Sequence, residues 1–240
     1  MPTIKVPDIK LVESLISPRT RNVGLTNWAA IVHELQDNLV GDLPSLYAAA
    51  ATIKVETASQ FCPIEEMGSP QYFEKVYGHR RDYKTDDSGR WLWRGRGFIQ
   101  LTGELNYIFA GNDLKVPLQR HPELACETDI AVRIFRWFWA KEEVYRMANR
   151  AYTSKKYSDW VRVRWAVNGG NNGLNEFISC LNVFGLKIAN PTVTVSPPAI
   201  QQPQKSVSIN TISTVVEPKQ PLTINSMLNV GTQGKLANQG

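Results

Sequence analysis

Residues 93–107 read Trp-Arg-Gly-Arg-Gly-Phe-Ile-Gln-Leu-Thr-Gly-Glu-Leu-Asn-Tyr, and the rest of the chain is organised around them. Arg94-Gly95-Arg96-Gly97 joins two guanidiniums to backbone that can turn where other residues would strain. Phe98, Ile99 and Leu101 carry the chain inward, while Gln100, Thr102 and Asn106 offer short hydrogen-bonding groups. Polar groups on an apolar frame suit a saccharide site. An RGRG tetrapeptide by itself is more often a buried turn with two surface arginines, so the surrounding chain has to decide.

Around this stretch the apolar pattern is helical. Thr26 or Asn27 is expected to cap a helix whose Trp28, Ile31, Val32, Leu35 and Leu39 share one face and which Gly41 ends. Pro44 and Ser45 open a second helix running to Glu56, small or apolar nearly all round, as a helix inside a core should be. Residues 61–94 read as loop, interrupted by Pro63, Gly68, Pro70, Gly78 and Gly89. Thr128 should cap a helix with an aromatic ridge of Phe135, Trp137, Phe138 and Trp139. Further helices run from near Ser158 to Asn168 and from Leu174 to Phe184. Alternating strand patterns are scarce; at most a short hairpin is expected around Arg90–Ile99.

Composition bounds the function. A chain of 240 residues can bury a sizeable core, and a formal charge of +5 suits an anionic polymer without naming one. Cys62, Cys126 and Cys180 are far apart and odd in number, which argues for reduced thiols and a cytoplasmic folding environment. With His33, His79 and His121 scattered, no metal spacing is visible, and neither a metal nor a cofactor is expected. The start, MPTIKVPDIKLVESLI, lacks the apolar stretch of a signal peptide, and no run approaches membrane-spanning length. Residues 190–240 hold six of the fourteen prolines and no Phe, Trp or Tyr, so they read as a flexible tail. Residues 1–24 read as an irregular extension, which leaves 25–189 as the folded unit.

Glu56 stands at the end of the buried helix. Desolvation and the negative end of the helix dipole disfavour a charge there, as a general acid requires. Glu65 and Glu66 follow in a loop, and one of them can act as the base on an opposite wall, with RGRG as the floor.

These residues resemble a known family. The order Glu56-Thr57-Ala58, then Phe61-Cys62-Pro63-Ile64-Glu65-Glu66, then Arg94 to Gly103, then Asn106-Tyr107, is similar to glycoside hydrolase family 19, and most similar to its bacteriophage endolysin branch. His121-Pro-Glu-Leu-Ala125 before the aromatic helix, and Val167-Asn168-Gly169-Gly170, follow in the family's order. The resemblance covers residues 25–188. It implies a mainly α, lysozyme-like fold with a deep cleft and at most a small β-hairpin, and inverting cleavage of β-1,4 glycosidic bonds by two glutamates. Carried over by motif, Glu56 is the acid, Glu66 the base (five residues after Phe61) and Thr102 the hydroxyl that holds the attacking water. Gln100, Asn106, Tyr107 and Asn168 become sugar contacts, and Arg96 braces the second glutamate. Two departures stand out: Val55 where the family has His, and Ala58 and Ser59 where it has Gly.

The resemblance implies a monomeric hydrolase of bacterial peptidoglycan, made in a host cytoplasm and reaching the wall on release or within a phage particle, with the tail as an anchor. A chitinase is the same chemistry on another polymer. A glycan-binding virion protein without catalysis would be expected to lose a carboxylate, yet both are present. The arginines at 80, 81, 90, 94 and 96 could meet nucleic acid, but no nucleic-acid-binding motif accompanies them, and neither such binding nor membrane insertion is expected.

Overall fold

The computed structural model of the protein describes residues 5–189. The expected tail lies outside the described residues. Helix α3 (Leu43–Glu56) is the axis. Asp42 caps it by accepting a hydrogen bond from the Ser45 amide at 3.1 Å. Its small residues Ala48–Ala51 are fully buried, which lets neighbouring helices approach on every side. Those neighbours are α7 (Val144–Ser154), α8 (Tyr157–Asn168) and α9 (Leu174–Val183). A second pairing sets α2 (Arg21–Asp37) against α6 (Thr128–Lys141). The α6 ridge is buried as expected at Phe135, Trp137 and Trp139, and the Trp139 indole donates to Ser45 Oγ at 2.8 Å. That bond satisfies a buried N–H and fixes α6 against the start of α3.

The mainly helical architecture agrees with the sequence reading, and the sheet is small: β1 (Ile64–Glu65) pairs antiparallel with β2 (Arg96–Gly97). The expected hairpin is corrected in its partner, because Arg96 and Gly97 pair with a segment thirty residues upstream. The rest of 61–94 is not all loop. Ser69 caps α4 (Pro70–Tyr77), accepting from the Tyr72 amide at 3.2 Å, with Pro70 in the first turn. Helix α5 (Glu104–Leu114) and α7 are also additions to the sequence reading. In α7 the buried Val144, Ala148 and Ala151 recur at helical spacing, a stripe the sequence reading passed over, whereas the apolar residues of α5 are spread round the helix and single out no face.

The chain's start is ordered. Helix α1 (Ile9–Leu15) buries Val12 and Leu15 in the common core. Helix α2 then begins at Arg21, so Thr26 and Asn27 are interior rather than capping. Asn27 is buried and donates to the Phe61 carbonyl at 2.8 Å, and the Ser17 amide donates to Ser59 O at 2.8 Å. The first two helices thus hold the turn that leaves α3, which is the turn that joins the two candidate carboxylates.

Candidate active site

Glu56 is the last residue of α3, and its side chain is only 11% exposed. Its Oε1 accepts from Arg164 Nη1 at 2.5 Å, and Arg164, on α8, is itself 1% exposed. Arg164 Nε donates to the Asn172 carbonyl at 2.8 Å, so the loop between α8 and α9 holds the guanidinium in place. A cation absent from the sequence reading therefore faces this carboxyl. Arg164 could not be found from the sequence, because it lies 108 residues from Glu56 and outside every quoted motif. Val55, where the family's His was expected, packs toward Gly173 in the same loop; a Cβ at Gly173 would collide with Val55 Cγ1.

The second departure from the family pattern falls in the turn after Glu56, where glycine would be the unstrained choice. Ala58 (φ 48°) and Ser59 (φ 66°) both adopt the left-handed conformation that glycine accepts without strain. Thr57 secures the turn: its hydroxyl donates to Ile53 O at 2.7 Å and accepts from the Phe61 amide at 3.0 Å.

Glu65 and Glu66 point to different partners, as adjacent strand-end residues do. Glu65 accepts from Arg94 Nη2 and Arg96 Nε, each at 2.8 Å, and from Arg90 Nη1 at 3.1 Å. Arg94 and Arg96 are almost fully buried, at 3% and 2% exposed. Burial pushes the Glu65 carboxyl up, but hydrogen bonds and charge from Arg94 and Arg96 outweigh it and hold Glu65 below the usual carboxylate range. The expectation that Arg96 braces Glu66 is thus corrected: it braces Glu65, because β2 pairs Arg96 directly with that residue.

Glu66 is held by weaker donors. Its Oε1 accepts from the Tyr77 hydroxyl at 2.9 Å and the Tyr72 hydroxyl at 3.2 Å, and its Oε2 accepts from the Gly95 amide at 3.1 Å. Both tyrosines come from α4, the helix that the loop reading did not include. Burial, followed by the Glu66 charge, pushes the Tyr77 hydroxyl up, so it remains a donor.

The site groups meet at Gly95. A Cβ on that residue would lie 2.7 Å from Gln100 Oε1, 3.3 Å from Thr102 Oγ1 and 3.4 Å from Glu66 Oε2. Glycine keeps this point open, and Gly97 (φ 82°) supplies the turn that brings Gln100 back to it. Gln100 Nε2 is committed to Gly97 O at 3.0 Å and Ile64 O at 3.1 Å, which leaves its carbonyl oxygen facing the gap. The Thr102 hydroxyl donates to Gln100 O at 2.7 Å, so its lone pairs face outward. Asn106, on α5, donates to the Thr102 carbonyl at 2.8 Å and stands behind it. Asn168 ends α8, one helical turn beyond Arg164.

Tyr107 is a correction. It is fully buried, donating to Arg94 O at 2.8 Å and accepting from Arg96 Nη1 at 3.1 Å, so it supports the arginines and touches no sugar. Among the described residues, no group of three or more His, Cys, Asp or Glu could hold a metal ion.

No protein-family model matches the chain. A protein of Haemophilus influenzae, named for a glycosyl hydrolase family 19 domain, is 30% identical over 108 residues, covering 42% of this chain and 46% of its own length. A basic endochitinase of Brassica napus is 28% identical over 135 residues, covering 52% of this chain and 48% of its own. The chain spans about half the length of these curated relatives. Chitinase C from Streptomyces griseus superposes with a TM-score of 0.44 at 17% identity, covering 76% of this chain and 78% of that one. One sequence relative carries the family's name and the other is an endochitinase, so this chain, which keeps the motif glutamates, is similar to proteins of glycoside hydrolase family 19.

Proposed function

We propose that the protein hydrolyses the β-1,4 glycosidic bonds of bacterial peptidoglycan by direct attack of water, with Glu56 as general acid and Glu66 as general base. The observation that carries this reading is the convergence of Glu66 Oε2, Thr102 Oγ1 and Gln100 Oε1 on the open point at Gly95. A water there donates one hydrogen bond to Thr102 and gives its second proton to Glu66 as its oxygen joins the anomeric carbon. Glu56 gives its proton to the glycosidic oxygen, and the leaving sugar departs as an alcohol. The carboxylate left on Glu56 faces Arg164, which stabilises the new charge. Three donors on Glu66 fix its orientation before the substrate arrives. Gln100, Asn106 and Asn168 are the sugar contacts in this scheme, which needs no metal or cofactor.

The wall substrate rests on the motif likeness to the phage endolysin branch and on the mildly basic chain. On this reading the enzyme is made in a host cytoplasm and meets the wall after release or from a phage particle. Chitin is the second reading, favoured by the endochitinase among the relatives. Digestion of purified peptidoglycan and of chitin, followed by borohydride reduction and mass spectrometry, separates them. Reduced muramic acid or reduced glucosamine from peptidoglycan supports the proposal. Products from chitin alone transfer the reading to chitinase, and anhydromuramic acid would mean a transglycosylase. No product from either polymer would defeat the hydrolase reading.

A further inference from the structure

Six of the seven tryptophans are at most 6% exposed, whereas Trp165 is 51% exposed. It is also held in place, since its indole N–H donates to Asn171 Oδ1 at 2.9 Å. A large aromatic ring that is both pinned and open to solvent is a ready platform for the apolar face of a flat or cyclic ligand.

Its surroundings say what that ligand carries. Trp165 lines a hollow of about 320 Å³ between α7 and α8, together with Met147, Arg150, Asp159 and Arg162. Arg162 and Trp165 are three apart on α8, and so is Asn168 beyond them, so all three lie along one side of the helix. Asp159, the one acid here, is engaged by the Ser154 hydroxyl at 2.6 Å, and Arg162 meets it only at 3.4 Å. Arg150 and Arg162 are both exposed. Arg162 is ion-paired with Asp159 at 3.4 Å, so the two guanidiniums and the one acid leave the hollow with a single net positive charge beside the ring.

The track connects to the candidate site. Arg164, which holds Glu56, is the residue before Trp165. The loop that fixes Arg164 through Asn172 O also fixes Trp165 through Asn171. On a helix the two side chains diverge by about 100°, so one turns inward to the carboxylate and the other outward along the flank.

We propose that Trp165, with Arg150 and Arg162, forms an accessory subsite for a carboxylate-bearing pyranose, the chemistry of a muramic acid unit whose lactyl group carries no stem peptide. The ring stacks on the sugar and the arginines take the acid group. The subsite makes the enzyme prefer an acidic glycan to a neutral one. It deepens the peptidoglycan reading and rests on it for the choice of ligand.

Binding tests the subsite independently of turnover. Wild type, Trp165→Ala and the double variant Arg150→Gln/Arg162→Gln are titrated by calorimetry with two probes, a peptide-free N-acetylglucosaminyl-N-acetylmuramic acid disaccharide, whose lactyl carboxylate is free, and a neutral N-acetylglucosamine tetramer. The double variant should bind the acidic probe about fivefold more weakly, the scale of two exposed charge contacts, and the neutral probe as wild type does. Trp165→Ala should weaken the acidic probe further, and all three proteins should melt together. Acidic-probe affinity unchanged in either variant, or an equal loss of both probes in the arginine variant, would overturn the subsite. A wild type that binds the acidic probe through these residues but cleaves no wall would leave the subsite standing and defeat the peptidoglycan-hydrolase reading.

Discussion

Glu56 and Glu66 are held by two differently built regions. Glu56 closes a helix sealed on every side by apolar packing, and one buried arginine from α8 meets it. Glu66 follows a two-residue strand in a region with little helix, where Glu65, Asp82 and Asp86 hold Arg80, Arg90, Arg94 and Arg96. Apolar packing is nearly indifferent to pH, whereas an ionic framework is not. The two regions should therefore fail under different insults.

The largest effect separates the two neighbouring glutamates. Glu56→Gln and Glu66→Gln should each lower the turnover rate by about 10²–10⁴-fold, the scale of a lost acid or base. Glu66→Gln should melt close to wild type, whereas Glu56→Gln leaves the buried Arg164 without its carboxylate and should cost roughly 2–3 kcal/mol. Glu65→Gln reads as mild from the sequence, but the structure changes that expectation. Losing the anion leaves Arg94 and Arg96 buried with less compensation, at a cost of roughly 2–3 kcal/mol, or about 5–10 °C in Tm. Paired assays and melts would show whether stability and chemistry divide between residues 65 and 66 in this way.

Gly95→Ala probes the gap. The new methyl would crowd Gln100, Thr102 and Glu66, and activity should fall about 10²-fold. Stability should fall by about 1–3 kcal/mol, because the closest atom belongs to the Gln100 amide and moving it breaks the bonds to Gly97 O and Ile64 O.

Acid should loosen the Glu66 region before the helical one. Burial pushes the Asp86 carboxyl up, but hydrogen bonds from Ser88 and Arg94 outweigh it and bring it to about 2. Glu65 and Asp82 are likewise held below the usual range by their arginines, against the push of burial. Depressed values mean that this stabilisation is complete above about pH 4 and is lost as the pH falls toward about 2. Melting temperature followed over that window should drop more steeply for wild type than for Glu65→Gln, which has already lost one of these anions.

The smallest effect lies in the turn between the two regions. Ala58→Gly relieves a left-handed alanine at the expense of some chain entropy, for a net gain of about 0.5 kcal/mol. Calorimetry would read it as an increase of one or two degrees.

The helical region was the more legible one. Apolar spacing revealed the buried α3, the α6 ridge and α9, because each buries a continuous stripe. Helix α4 stayed hidden in a run of Pro and Gly, and its two tyrosines on Glu66 stayed hidden with it. Motif likeness singled out the glutamates and Thr102 as candidates but could not say which acid Arg96 would meet. That depends on the register Glu65–Arg96 between segments far apart in the chain. For the same reason Tyr107 read as a sugar contact when its hydroxyl is spent on arginine backbone and side chain. Arg164 carried no signal at all, since a long-range ion pair leaves no periodicity.

The central claim is that water, placed at Gly95 and held by Thr102, attacks the sugar directly while Glu66 takes its proton. Proton NMR of the first-formed product, recorded on a soluble β-1,4-linked N-acetylhexosamine oligomer before mutarotation, tests this most directly. Direct attack inverts the anomeric carbon, so the account predicts an α-anomer. A β-anomer would mean that a covalent or substrate-assisted intermediate intervenes, and would contradict it.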